Sequence, residues 1–227
     1  MSAPDMLGAR IVLATANPGK LREFRALLAD QPQLGHLDLE RVVIDAASAG
    51  VGEIPETGVS FEQNSLLKAR TVAAQTGLPA VADDSGLAVE VLGGAPGIFS
   101  ARWAGISASD DNNRRLLLQQ LADIPAEHRG AAFVCVASLV LPQKYDDAAG
   151  LGNSSEVTSA EYTAEGRLEG TLLTEERGEG GFGYDSILQP AGETRSCAEL
   201  SMAEKNAISH RGRAFAQLAP RIVEVLR

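Results

Sequence analysis

The chain has 227 residues, 44% of them hydrophobic and 22% charged, which suits one large domain or two tightly joined lobes and excludes a disordered chain. Lys and Arg number 20 against 30 Asp and Glu, a net charge of −10 that excludes a general binder of nucleic-acid backbone, though not of a small anion held by local cations in a cleft. Two cysteines (Cys135, Cys197) and three scattered histidines (His36, His128, His210) make neither a disulfide framework nor a zinc site.

"RIVLATA" (10–16) is a short apolar, β-branched run and reads as a buried strand. Asn17 then suits an N-cap and Pro18 the first helical position, with Leu21, Phe24, Leu27 and Leu28 forming an apolar stripe. "SFEQ" (60–63) has the form of a capping box, Ser60 with Gln63, opening a helix that stops at Gly77. "PAVAD" (79–83) and "LAVEV" (87–91) read as strands joined by a tight turn at Asp84-Ser85-Gly86, and "LGGAPG" (92–97) as a loop. A helix is expected over 109–123 and a central strand over 130–142, where Cys135 reads as a buried, inert thiol. Residues 143–156 read as an exposed polar loop, "EVTSAEYTAEG" as a strand, and 177–188 as a glycine-rich loop running into a short strand. The C-terminal stretch is helical, with Phe215, Leu218, Ile222, Val223 and Leu226 at helical spacing. Mixed helices and strands imply an α/β fold. No repeat or linker divides the chain, so 1–227 reads as one domain. Without a signal-peptide pattern, and with its longest apolar run (131–141) about half of what a bilayer requires, the chain reads as a soluble cytoplasmic protein.

Five segments carry groups suited to chemistry. "TANPGK" (15–20) ends in the Gly-Lys of a phosphate-binding loop, but Ala14 and Leu21 replace the Gly and Ser or Thr that a Walker A sequence needs. Its place between a strand end and a helix N-terminus nevertheless favours an anion. In "VADDSGLAV", Asp83 and Asp84 end an apolar run, where a metal or a turn would each accommodate them. As strand neighbours they point to opposite faces. Glu53 and Glu56 precede a helix on which Asn64 and Lys68, spaced i, i+4, share a face, so carboxylate, amide and ammonium can line one wall. "GGFGYD" (180–185) combines glycines that permit close approach with aromatics that can stack on a base, or else forms a bulge. "EKNAISHRGRA" (204–214) places Lys205, His210, Arg211 and Arg213 near a helix start that Ser209 can cap. Cations there oppose the helix dipole, a local cost that a bound anion would offset.

Together, "TANPGK", "ETGVSFEQNSLLKAR", "PAVADDSGLAVEVLGGAPGIFSARWAG", "GGFGYD" and "EKNAISHRGRA" resemble, in order and spacing, the inosine triphosphate pyrophosphatase family, also called dITP/XTP pyrophosphatases. The resemblance runs from about residue 10 to residue 220. It implies a long, twisted mixed sheet flanked by helices, with two lobes around a substrate cleft, and a Mg²⁺-dependent homodimer cleaving purine nucleoside triphosphates to monophosphate and pyrophosphate. By similarity Thr15, Ala16, Asn17, Pro18, Gly19 and Lys20 hold the triphosphate, Glu56 and Asp84 the metal, and Asp84 is the base. Asn64, Lys68 and Ser85 match further substrate contacts, while Phe182, Gly183, Tyr184, Asp185, Lys205, Ser209, His210 and Arg211 match the base-recognition region. The implied partners are small purine nucleotides such as ITP, dITP and XTP, with neither nucleic acid nor membrane. Arg211, His210 and the loop backbone are expected to donate to the 6-keto oxygen that ATP lacks. Ala16 stands where glycine is more usual, and Ser186 where proline is. The rival readings are a Maf-type pyrophosphatase of modified nucleotides and a non-catalytic nucleotide sensor; retention of both Glu56 and Asp84 argues against the sensor.

Overall fold

The computed structural model describes residues 8–142 and 160–227. The first strand, β1 (Ile11–Leu13), leads into α1 (Pro18–Ala29), and α2 (Leu39–Val42) leads into β2 (Val43–Asp45). Then come α3 (Phe61–Thr76), β3 (Ala80–Val89), α4 (Asp110–Gln120), β4 (Gly130–Val140), β5 (Glu161–Leu172), β6 (Leu188–Pro190), α5 (Met202–Ile208) and α6 (His210–Leu226). The six strands form one mixed sheet in the order β2-β1-β3-β4-β5-β6. β1 runs parallel to β2 and β3, and the remaining pairs are antiparallel.

The period-2 pleat sorts β3 between two cores. Val81, with Ile11, Leu13 and Cys135, packs against Phe24 and Leu28 of α1 and Phe215, Leu218 and Ile222 of α6. Ala80 and Ala82, with Val12, pack against Ala69, Val72 and Ala73 of α3. A third cluster at the far end joins Leu87, Val89 and Phe133 to Leu117 and Leu121 of α4 and to Tyr184 and Ile187. The C-terminal apolar stripe is buried as its spacing requires, and burial pushes the Cys135 thiol up to about 12, so it is inert.

The hairpin expected at Asp84-Ser85-Gly86 does not form. β3 is continuous and pairs residue for residue with β4, from Ala80 opposite Val140 to Val89 opposite Ala131. A long apolar neighbour satisfies every rung, and Gly86 serves a close approach instead of a turn. A Cβ there would lie 2.5 Å from the Gly97 carbonyl and 2.5 Å from Ser100 Oγ, both on the 3₁₀ turn Gly97–Arg102. Helix ends follow their caps closely. Asn17 Oδ1 accepts the Gly19 N–H and Gly77 closes α3 with φ of 69°. The Ser60 box is half formed: Ser60 Oγ accepts from Gln63 N–H, but Gln63 Oε1 takes the N–H of Val59 rather than that of Ser60. α4 stops at Gln120, and the C-terminal helix breaks at Ser209, which caps α6. The polar loop expected over 143–156 lies outside the described residues.

Candidate active site

The β1–α1 turn presents one end of the site. Thr15, Ala16, Asn17, Pro18 and Lys20 line a groove of about 900 Å³ with Glu53, Glu56, Lys68 and Asp83. Thr15 Oγ1 accepts the Asn17 N–H at 3.1 Å. Gly19 does not line the groove, and its N–H is taken by the cap. Lys20 reaches across to β3, donating to both oxygens of Asp83 at 3.0 and 2.8 Å.

The adjacent carboxylates of β3 receive opposite treatment. Asp83 is buried, yet Lys20, Arg211 Nε at 3.3 Å and the Ser85 hydroxyl at 3.2 Å all donate to it. Burial alone would raise its pKa; Lys20 and Arg211 overcome burial and hold it well below the usual carboxylate range. Asp84 meets the α3 side, where Asn64 Nδ2 donates to it at 3.1 Å and Lys68 Nζ lies 3.6 Å away. Its pKa is raised, first by burial; Lys68 opposes and Glu56 reinforces. Lys68 donates to Glu56 at 2.5 Å, and although burial works to lower its pKa, Asp84 and Glu56 together raise it. The two neighbouring carboxylates are thus pushed apart in pKa, one held ionised by two cations and the other raised by burial.

Glu56 and Asp84 both face the Lys68 ammonium, at 2.5 and 3.6 Å, and are the carboxylates that could hold a cation here. Two hard carboxylate donors suit Mg²⁺, which typically takes one or two carboxylates and completes its shell with water and phosphate oxygens. Among the described residues no group of three or more His, Cys, Asp or Glu could hold a metal by itself. Asn64 is fully buried, with its carbonyl taken by Gly58 N–H at 2.8 Å and its amide by Asp84, so it supports the carboxylate instead of facing a ligand.

A cavity of about 300 Å³ joins these groups to the loop over 180–185 and the start of α6. Lys20, Glu56, Lys68, Asp84 and Ser85 line one part; Phe182, Gly183, Tyr184, Asp185, Lys205, His210 and Arg211 line another. His210 stacks on Phe133 with centroids 5.2 Å apart and planes at 24°. Its pKa is lowered to about 3, chiefly by burial and then by Arg211 and Lys205, so the ring is neutral. Phe182 is 64% exposed, with Lys205 Nζ 4.9 Å from its ring centroid, and Lys205 also pairs with Asp185 at 2.5 Å. The Tyr184 hydroxyl donates to the Ser100 carbonyl at 2.8 Å.

Several expected donors have partners within the chain. Arg211 holds Asp83 and Glu23, the latter at 3.1 Å. The N–H groups of Phe182 and Gly183 bond Asp185 and Asp110. Ser209 caps α6, accepting Gly212 N–H at 3.3 Å, and is not among the cavity walls. Phe133 and Asp110, both on the walls, escaped the sequence reading. Phe133 is hidden in a uniformly apolar strand, and Asp110 is one of several acids opening a helix.

Fold and site together define an α/β protein in which a strand–helix turn, two adjacent carboxylates and an aromatic loop line neighbouring cavities. The Ham1 family model matches residues 11–221, and the chain belongs to the Ham1 family. It is 54% identical over 217 residues to a dITP/XTP pyrophosphatase of Streptomyces coelicolor, covering 96% of this chain and 98% of that protein. It is 46% identical to a dITP/XTP pyrophosphatase of Mycobacterium tuberculosis, covering 93% and 94%. A HAM1 protein from Coxiella burnetii superposes with a TM-score of 0.78 at 39% identity, over 95% of this chain and 99% of that one. A nucleoside-triphosphatase / dITP/XTP pyrophosphatase from Mycobacterium abscessus superposes at 0.72 with 43% identity, over 93% and 99%.

Proposed function

We propose that this protein is a nucleoside triphosphate pyrophosphohydrolase that clears ITP, dITP and XTP from the nucleotide pool, releasing monophosphate and pyrophosphate. The observation that carries this reading is the placement of Asp84 beside Glu56, Lys68 and Asn64, on the wall of a cavity that Lys20, Phe182, Lys205 and His210 also line. Relatives named dITP/XTP pyrophosphatase support the substrate class. The same reading takes the chain as a single two-lobed domain acting as a cytoplasmic homodimer. No described helix is long and apolar enough to cross a membrane.

In this reading the triphosphate lies along the β1–α1 turn, with Lys20 and Lys68 neutralising charge on the leaving pyrophosphate. Asp84 accepts the proton of the attacking water at a carboxylate oxygen, and Asn64 holds it in line. Glu56 and Asp84 would hold Mg²⁺, which when bound supplies Lewis-acid charge that neutralises and orients the phosphates. The purine lies against the exposed Phe182 ring, within reach of neutral His210.

Incubation with ITP, XTP, dITP, ATP and GTP plus Mg²⁺ tests this. IMP and pyrophosphate are the expected products from ITP, and chelation should abolish turnover. Release of IDP and orthophosphate would overturn the mechanism.

A further inference from the structure

The loop over 180–185 is held by a helix outside every motif that points to nucleotide chemistry. Asp110 and Arg114, spaced i, i+4 on α4, share a face. Asp110 Oδ2 accepts the Gly183 N–H at 2.7 Å, and Arg114 Nη1 donates to the Gly183 carbonyl, also at 2.7 Å. One helix face thus grips both polar groups of one residue. Gly183 has φ of +59°, and a Cβ built there would touch nothing within 4 Å, so packing does not define its position. The two bonds from α4 do.

The grip extends along the loop. Arg114 Nε donates to Glu176 Oε2 at 2.8 Å, and the same carboxylate oxygen accepts from Ser186 Oγ at 3.0 Å. Arg114 is largely buried and also pairs with Asp111. Next to Gly183 stands Phe182, whose ring is exposed and has only Lys205 over it. The His210–Phe133 stack lines the same cavity. Asp185 holds Phe182 through its N–H and carbonyl, and α4 holds the next residue, so both set where a ring stacked on Phe182 would lie relative to Lys205 and His210.

We propose that Asp110 and Arg114 are specificity-positioning residues, fixing Gly183 so that a base stacked on Phe182 presents its 6-position to the donors Lys205 and His210, which a 6-keto oxygen accepts from and a 6-amino group does not. This rests on reading loop 180–185 as the base-side wall. Because the Gly183 N–H is held by Asp110, the loop discriminates through the placement of its side chains and not through that donor.

Wild-type protein is first assayed with ITP and ATP; absence of IMP would refute the proposed function itself, separately from this inference. Hydrogen–deuterium exchange of the segment 180–186 and kcat/KM for both nucleotides are then measured for Asp110→Ala, Asp110→Asn and Arg114→Lys. Asp110→Ala should speed exchange in the loop and lower kcat/KM for ITP about tenfold, mainly through KM, with ATP changing less than about twofold. Asp110→Asn keeps an acceptor oxygen and should restore most of the ITP-to-ATP ratio. Arg114→Lys, which keeps the charge but loses the forked geometry, should fall between them and carries the test if the alanine variant does not fold. Unchanged exchange, faster exchange with an unchanged ratio, or equal losses for ITP and ATP would each overturn the assignment.

Discussion

Asp83 and Asp84 are chemically identical neighbours on one strand, and they show how a fold makes two tools from one residue type. The pleat turns Asp83 toward Lys20 and Arg211, two cations from α1 and α6, and turns Asp84 toward Asn64 and Lys68 of α3. Asp83 gains enough positive charge to stay ionised despite burial, whereas Asp84 keeps the effect of its burial because Glu56 offsets part of what Lys68 supplies. One carboxylate fastens three elements together, and the other is the base in the proposed reaction.

Exchanging each for its amide gives the sharpest test of this contrast. Asp84→Asn is nearly isosteric and should lower kcat at least about 10²-fold while changing the unfolding free energy by less than about 1 kcal/mol. Asp83→Asn should show its largest effect on stability. It leaves Lys20 and Arg211 without their shared counter-ion, a loss of about 3 kcal/mol in urea unfolding. If Asp83→Asn is stable but inactive and Asp84→Asn retains kcat, the roles are reversed.

A smaller effect tests whether Lys20 and Arg211 really act through one carboxylate. In a double-mutant cycle of Lys20→Ala and Arg211→Ala followed by urea unfolding, the coupling should be about 1 kcal/mol. Additive losses would separate Arg211 from the Asp83 cluster and return it to the role of a direct reader of the base.

The smallest effect at neutral pH concerns His210. The folded ring titrates at about 3 against 6.5 for the free side chain. Between those values the unfolded chain binds a proton that the folded chain does not, so stability rises with pH across this window and falls as pH drops through it. His210→Gln should flatten that part of the stability–pH curve and leave pH 7 nearly unchanged. A slope identical to wild type would mean that the ring titrates normally in the fold.

Much of the architecture was legible locally because its signals are local. The Asn17 cap, Pro18 at the helix start, the Gly77 stop and the C-terminal apolar stripe each depend on a few neighbouring residues, and each has its expected place. β2 (Val43–Asp45) was not legible, since three residues carry no period and exist as a strand only through pairing with β1. The Asp84-Ser85-Gly86 turn failed for a related reason. Turn propensity describes an isolated segment, whereas β4 supplies a partner for all ten residues of β3.

For the site, the sequence by itself determined which groups were available: a strand–helix anion turn, two adjacent acids, a carboxylate-amide-ammonium set and a glycine-rich aromatic loop. That Asp83 and Asp84 face opposite ways followed only once pairing with β4 placed both on one continuous strand, whose pleat requires it. Only the tertiary structure decided which cation meets which carboxylate. It placed Arg211 on Asp83, 128 positions away, and turned Asn64 inward to serve Asp84. It also brought Asp110 to Gly183, 73 positions away. The physical reason is that pKa and donor availability are set by burial and by charges a few ångströms off in space, and in this chain those charges come from helices that the sheet order, not the sequence order, makes neighbours.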